Sequence, residues 1–329
     1  MISAPMAGAA GGALARAVSS AGALGLVAVG HGAGEAYIER ELAVFTEPGS
    51  GSPATAPPAP PWGVGLMAWS LELEAQRTLH RVLEHRPPVI ALAAGDPTTG
   101  ARLAAATGAL VAVQVGTEAE VDAASANPDI DLVVVRGSEG GGHGLNAVAT
   151  LPLLQYAAQR CLAKPVAAAG GIATSAGLAA ILAAGAQAAW IGTRFIPCAE
   201  SLAAPALRDA VARAGLDDTV YTSFFDLVLG LPWPAEYGGR ALRNAAVTPW
   251  EGRESELVEA LNAQTPEAQA LRAAVTAARG AGDATAAPVY AGQSAGLVPS
   301  TAPGTPAAEV IAELDGFRCL LRAASARWF

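Results

Sequence analysis

The chain has 329 residues, 52% of them hydrophobic and only 15% charged, with a formal net charge of −9. That is enough apolar material for one sizeable α/β domain, and the acidic balance argues against nucleic acid, because phosphate contacts need clustered Lys and Arg. Mean hydropathy is positive, yet the apolar runs are short and broken by Gly, Pro and charge, so none is long enough to span a bilayer.

A repeating rhythm begins at the first residues: a short apolar run, a Gly-containing turn, then an alanine-rich stretch. Eight runs are predicted as strands, at 2–6, 24–30, 62–67, 89–93, 110–115, 132–136, 165–169 and 188–192. Helical spacing follows at 12–20, 71–85, 118–126, 151–162 and 175–184. Strands alternating with helices imply parallel pairing through crossover helices. Eight such units in about 200 residues fit a closed barrel better than an open sheet. No GxGxxG follows the first strand, which weakens a dinucleotide-binding fold. The expected fold is therefore α/β, a (β/α)8 TIM barrel.

The Pro-rich stretch 48–61 interrupts the rhythm and is expected to be a mobile surface loop. After about residue 205 the pattern changes. Residues 205–280 read as helical around a loop, LPWPAEYGG, and suggest a mostly helical cap over the barrel mouth. A Gly-rich return segment at 288–297 and an amphipathic helix at 307–324 close the chain. The expected division is a barrel at 1–204, a cap at 205–285 and a returning tail at 286–329. Cys161, Cys198 and Cys319 are odd in number and widely spaced, without a CxxC. They predict free thiols in a reducing cytoplasm, with neither zinc nor a disulfide framework. No secretory leader pattern is seen.

Chemistry in such a barrel sits at the carboxyl ends of the strands. There the sequence places APMAG at 4–8, RGSEGGGHG at 136–144, AGGIAT at 169–174 and WIGTRF at 190–195. Gly170 and Gly171 after the seventh strand, with Gly192 and Thr193 after the eighth, offer backbone amides to a phosphate. Thr174 or Ser175 would cap the next helix. The alternative is that these glycines only make tight turns. Three consecutive glycines, Gly140 to Gly142, are entropically costly unless the backbone must approach something closely, and a flat ring is a natural candidate. His143 would then point into the mouth as a base or hydrogen-bond donor. His31 lies after the second strand and is a weaker candidate; His80 and His85 read as solvated helix residues. Gln114 and Arg136 end the fifth and sixth strands, within reach of a cofactor's ring edge or sugar. An HExxH and a ligand-spaced His pair are missing, and no GxSxG elbow joins one of the eight predicted strands to its helix, so metal and serine-hydrolase chemistry are not supported. Trp233 and Tyr237 fit either a pocket wall or ordinary packing.

Taken together, these loops resemble the nitronate monooxygenase family, also called 2-nitropropane dioxygenases. The likeness runs from APMAGAAGGALARAVSSAGALGLVAVG through RGSEGGGHG to PVAAAGGIATSAGLAAILAAGAQAAWIGTRF, with ALRN at 241–244 and YAGQSAGL at 290–297. The resemblance implies FMN as cofactor. Its phosphate would be held by Gly170, Gly171, Gly192 and Thr193. Its ring and side chain would run along Met6, Gln114, Gly141 and Gly142, with Pro5, Ala7, Gly65, Arg136, Trp190 and Ile191 as further cofactor contacts. His143 matches the active-site histidine, and Tyr290, Gln293 and Ser294 would face the substrate. The implied reaction oxidises an alkyl nitronate with O2 to a carbonyl compound and nitrite. In it His143 would bind the nitro group or deprotonate a neutral nitroalkane. The implied partners are a nitronate-like small molecule and O2, with no nucleic acid and no membrane; a homo-oligomer is compatible with the sequence. Two other readings stand beside it: an NAD(P)H-dependent FMN reductase acting on quinones or enoyl thioesters, and a non-catalytic flavin-binding protein. Three positions depart from the family pattern. Arg136 replaces a usual Gln and is expected to bring positive charge beside the flavin. Gly140 replaces Ala, and Gly65 replaces Asn.

Overall fold

The structure, a computed structural model, describes residues 1–46, 60–161 and 163–328. The eight expected strands form one parallel sheet. They are β1 (Ile2–Ser3), β2 (Gly25–Ala28), β3 (Trp62–Met67), β4 (Val89–Ala93), β5 (Leu110–Val115), β6 (Leu132–Arg136), β8 (Val166–Ala169) and β9 (Ala188–Ile191). Their order is β1-β9-β8-β6-β5-β4-β3-β2. A parallel bridge between Ile2 and Leu24 joins the two ends, with the Ser3 amide donating to the Leu24 carbonyl at 2.9 Å. The result is a TIM barrel.

Alternation along each strand divides the side chains into two layers. Ile2, Leu26, Val89, Ala91, Ala112, Val134, Ala167, Ala169 and Trp190 pack inside the barrel. Val27, Val64, Ile90, Val113, Val133, Ala168 and Ile191 face outward into the larger core shared with the helices. The small residues Gly63 and Gly65 suit a crowded interior: a Cβ on Gly63 would lie 2.6 Å from the Val89 carbonyl oxygen.

Three expectations are corrected. The helix expected at 71–85 is two helices, Ala68–Leu73 and Arg77–Glu84, because Ala75 (φ 49°) and Gln76 (φ 63°) turn left-handed and end the first. The tail helix also divides, into Ala307–Leu314 and Phe317–Trp328, with Gly316 lodged against the Ser175 side chain. The stretch at 205–280 holds strands as well as helices. Strands β10 (Thr219–Thr222) and β11 (Gly239–Leu242) pair antiparallel, and β11 pairs in turn with β7 (Gly142–His143). This small sheet stitches the cap to the loop after β6. At four and two residues its strands are too short to carry a readable period. The Pro-rich stretch at 48–61 falls largely outside the described residues. Among the described residues, no helix is long and apolar enough to cross a membrane, and all three cysteines are free.

Candidate active site

Arg136 ends β6 on the same strand face as Val134, which puts it at the top of the barrel interior. It is 4% exposed. Its Nη2 donates to the carbonyls of Gly140 (2.6 Å), Gly142 (3.0 Å) and Gly141 (3.4 Å), and Nη1 donates to Leu145 (3.1 Å). The glycine loop is thus wound around a guanidinium. Burial, with Arg240 nearby adding to it, pushes the Arg136 pKa down to about 10, so the group stays cationic at neutral pH. The donors expected to meet a cofactor edge are spent on the loop itself. The glycines here serve close approach in two ways. A Cβ on Gly141 would sit 2.4 Å from the Gly292 amide nitrogen of the return segment. Gly142 has φ 71° and open space where its Cβ would be, as a backbone facing a ligand requires.

His143 follows on β7, with its side chain on the cap side of the small sheet. Its Nε2 lies 2.9 and 3.0 Å from the two carboxylate oxygens of Asp226. Asp226 lies on the helix Phe224–Leu229 and is 5% exposed. An ionised carboxylate only accepts, so in the neutral imidazole this contact favours the proton on Nε2, with the Nδ1 lone pair as the basic site. The Tyr290 hydroxyl approaches Asp226 Oδ1 at 3.5 Å. Burial, reinforced by the Asp226 charge, raises the Tyr290 pKa well above normal, so it remains a donor. The Trp233 indole lies flat on the imidazole, 3.7 Å between centroids and 3° between planes. Trp69 tilts against Trp233 at 5.0 Å, and His31 against Trp69 at 5.1 Å. Tyr237 accepts from the Gly95 amide at 3.0 Å. Aromatic side chains therefore roof the mouth from β3 to the cap. The indole Nε1 of Trp69 is buried without an acceptor among the described residues.

Across the mouth, Gly170 (φ 103°) and Gly171 (φ 73°) turn left-handed after β8. No hydrogen bond from the amides of Gly171, Ile172 or Ala173 is found among the described residues. Thr174 caps the next helix, its hydroxyl accepting from Gly177 N at 3.1 Å. Free amides in the turn just ahead of a helix N-terminus, a turn made by two left-handed glycines, have the chemistry to accept an anion. Gly192 lies beside it, with Met6 Sδ 3.4 Å from the point its Cβ would occupy. These residues fit a group that carries a phosphate.

Other expected positions have different uses. Thr193 Oγ1 accepts from the Gly292 amide at 2.9 Å and so anchors the return segment. Trp190 fills the barrel interior and Ile191 the outer core, so neither side chain lines the mouth. Pro5 packs where a Gly65 Cβ would be, 2.2 Å from its Cγ, which accounts for glycine at this position. Ala7 is exposed and Gln114 half-buried. Of the expected substrate residues, Tyr290 meets His143, at 4.9 Å. Gln293 is exposed beside Arg240 and Tyr221, and Ser294 is buried. Glu139 faces away from His143, accepting from the Thr150 amide at 2.9 Å. His85 is half-buried against Glu39 at 3.2 Å rather than solvated. Among the described residues no cluster of three or more metal-ligating side chains occurs. The residue that reading the sequence missed is Asp226. Its one local signal was a lone acid inside the apolar run FFDLVL, where a buried charge needs a partner.

Amides free at the end of a parallel barrel, together with a histidine held by a buried carboxylate, fit an enzyme of the TIM-barrel type that binds a phosphate-bearing cofactor. The family profile described as nitronate monooxygenase matches residues 64–315, and the chain belongs to that family. It is 34% identical to the nitronate monooxygenase npaC of Metarhizium robertsii over 78% of this chain and 74% of that one. Among solved structures it is similar to FabK from Thermotoga maritima, with a TM-score of 0.78 and 26% identity over 99% of this chain and 95% of that one. A nitroalkane oxidase from Streptomyces ansochromogenes superposes with a TM-score of 0.72 and 26% identity, over 98% of this chain and 96% of that one.

Proposed function

We propose that the chain uses FMN to oxidise alkyl nitronates with O2, giving a carbonyl compound and nitrite. The observation that carries this reading is the His143–Asp226 pair. With Nε2–H held by the carboxylate, Nδ1 can take a proton from the α-carbon of a nitroalkane. Once protonated, it can donate to a nitronate oxygen. The flavin, when bound, supplies the electron-transfer and oxygen chemistry, and the protein supplies binding and orientation. Gly170, Gly171 and the free amides beyond them would hold its single phosphate, Gly142 and Met6 would lie along it, and Trp69 and Trp233 would exclude water. The name of the matched family supports the substrate class. The three free cysteines fit a reducing cytoplasm, and the division into barrel, cap and return segment belongs to the same reading.

A second reading, an NAD(P)H-dependent reductase, is supported by the likeness to FabK. Anaerobic mixing of the flavin-loaded protein with propyl-2-nitronate, and separately with NADPH, separates the two. The nitronate reading expects a rapid change in the flavin spectrum with nitronate alone, then nitrite when oxygen is admitted. Bleaching by NADPH with no response to nitronate would overturn it.

A further inference from the structure

Two buried arginines flank the histidine-bearing strand, and neither forms an ion pair among the described residues. Arg136 meets only carbonyl oxygens. Arg240, on β11 directly opposite Gly142, is 8% exposed. It donates to Ser138 O (2.8 Å), Thr219 Oγ1 (3.2 Å) and Asn146 Oδ1 (3.1 Å). The one carboxylate that acts electrostatically on both is Glu139, and its oxygens are occupied by the Thr150 amide and hydroxyl. A buried cation is normally paired with an acid, because leaving it unpaired is costly. Here two such cations share one loop, in a chain whose overall charge is −9.

We propose that Arg136 and Arg240 form a cationic pair with no carboxylate in direct contact, and that this pair makes the mouth favour anionic ligands over neutral ones of the same shape. They act through the field and not by contact, since their N–H groups are engaged by the loop and by β10. For the nitronate reading, on which the identity of the ligand rests, the pair would favour the nitronate anion over the neutral nitroalkane. Arg136 has a second part as a positioning residue, holding three successive carbonyls up to Gly142 and so setting the approach of His143.

The test uses the flavin-loaded protein and sodium nitrate, a planar anion with the outline of a nitronate head group. Binding is read from the flavin spectrum, beside binding of neutral nitroethane. Arg240→Gln is expected to weaken nitrate about tenfold, which corresponds to about 1.4 kcal/mol, and to leave nitroethane unchanged; Arg136→Gln, which also releases the glycine loop, is expected to weaken nitrate clearly more than nitroethane. Arg136→Lys keeps the charge without the planar fork, so it should retain most of the nitrate affinity while disturbing turnover. Arg240→Gln stands in where Arg136→Gln fails to fold, because Arg240 bonds to Ser138, Asn146 and Thr219 and to none of the three glycine carbonyls. Unchanged nitrate affinity in the Gln variants would overturn the proposal, as would equal losses for nitrate and nitroethane. Because the readout is binding, absence of nitronate turnover in the wild type would sink the function and leave the arginine pair standing.

Discussion

The two halves of the barrel mouth are built in different ways. At the ends of β8 and β9 the candidate anion site comes from contiguous chain: left-handed Gly170 and Gly171, a helix capped by Thr174, and Gly192 one strand away. At the end of β6 the site is assembled from distant pieces. His143 depends on Asp226, 83 residues later, on Trp233 above it and on a guanidinium below its loop. Backbone amides can hold a phosphate with local geometry alone. Proton transfer needs a side chain with a defined tautomer, and that takes a partner from another element. Under the proposed function, holding the cofactor and moving the proton would therefore be separable tasks.

Substitutions can break that separation or sharpen it. The largest effect is expected from Asp226→Asn. An amide can donate to Nε2 and so move the ring proton to Nδ1, removing the base. Oxidation of neutral nitroethane should fall by about 10²–10⁴, the usual worth of general base catalysis. A nitronate, which has already lost that proton, should be affected far less, and flavin content should not change. Steady-state oxygen uptake with the two substrates checks this. Gly170→Ala acts on the other half. Its φ of 103° disfavours any side chain, and the new Cβ would lie 2.7 Å from Thr150 Oγ1. Flavin affinity should drop about tenfold or more, about 1.4 kcal/mol, as read by equilibrium dialysis. The smallest effect on function is expected from Gly65→Asn, which restores the residue usual in the family. The Pro5 ring fills the required space, so overpacking should cost about 1–3 kcal/mol of stability, measurable as a lower urea midpoint.

The same contrast explains what could be read from the sequence. The barrel strands announce themselves as apolar runs between Gly turns, because a parallel strand buried on both faces must be apolar throughout. The candidate anion site was legible for the same local reason, through Gly170, Gly171 and Thr174. The histidine was legible as a residue but not as a pair, since nothing near position 143 points to position 226. At Arg136 a strand-end arginine suggests a ligand contact, and only the folded loop reveals that backbone carbonyls accept from its Nη groups. The side chains of Trp190 and Thr193 also have uses that the sequence does not announce, one turned into the barrel and the other tied to Gly292. The small sheet of β7, β10 and β11 was hidden because its register is set by long-range pairing and not by any repeat.

The most direct test of this division is to measure bound flavin and nitroethane turnover on the same preparations of Asp226→Asn and Gly170→Ala. The account predicts opposite outcomes. Asp226→Asn should keep its flavin and lose turnover, whereas Gly170→Ala should lose flavin and recover turnover when excess FMN is added. If Asp226→Asn instead loses its flavin, or oxidises nitroethane at the wild-type rate, the assignment of the His143–Asp226 pair to proton transfer is contradicted.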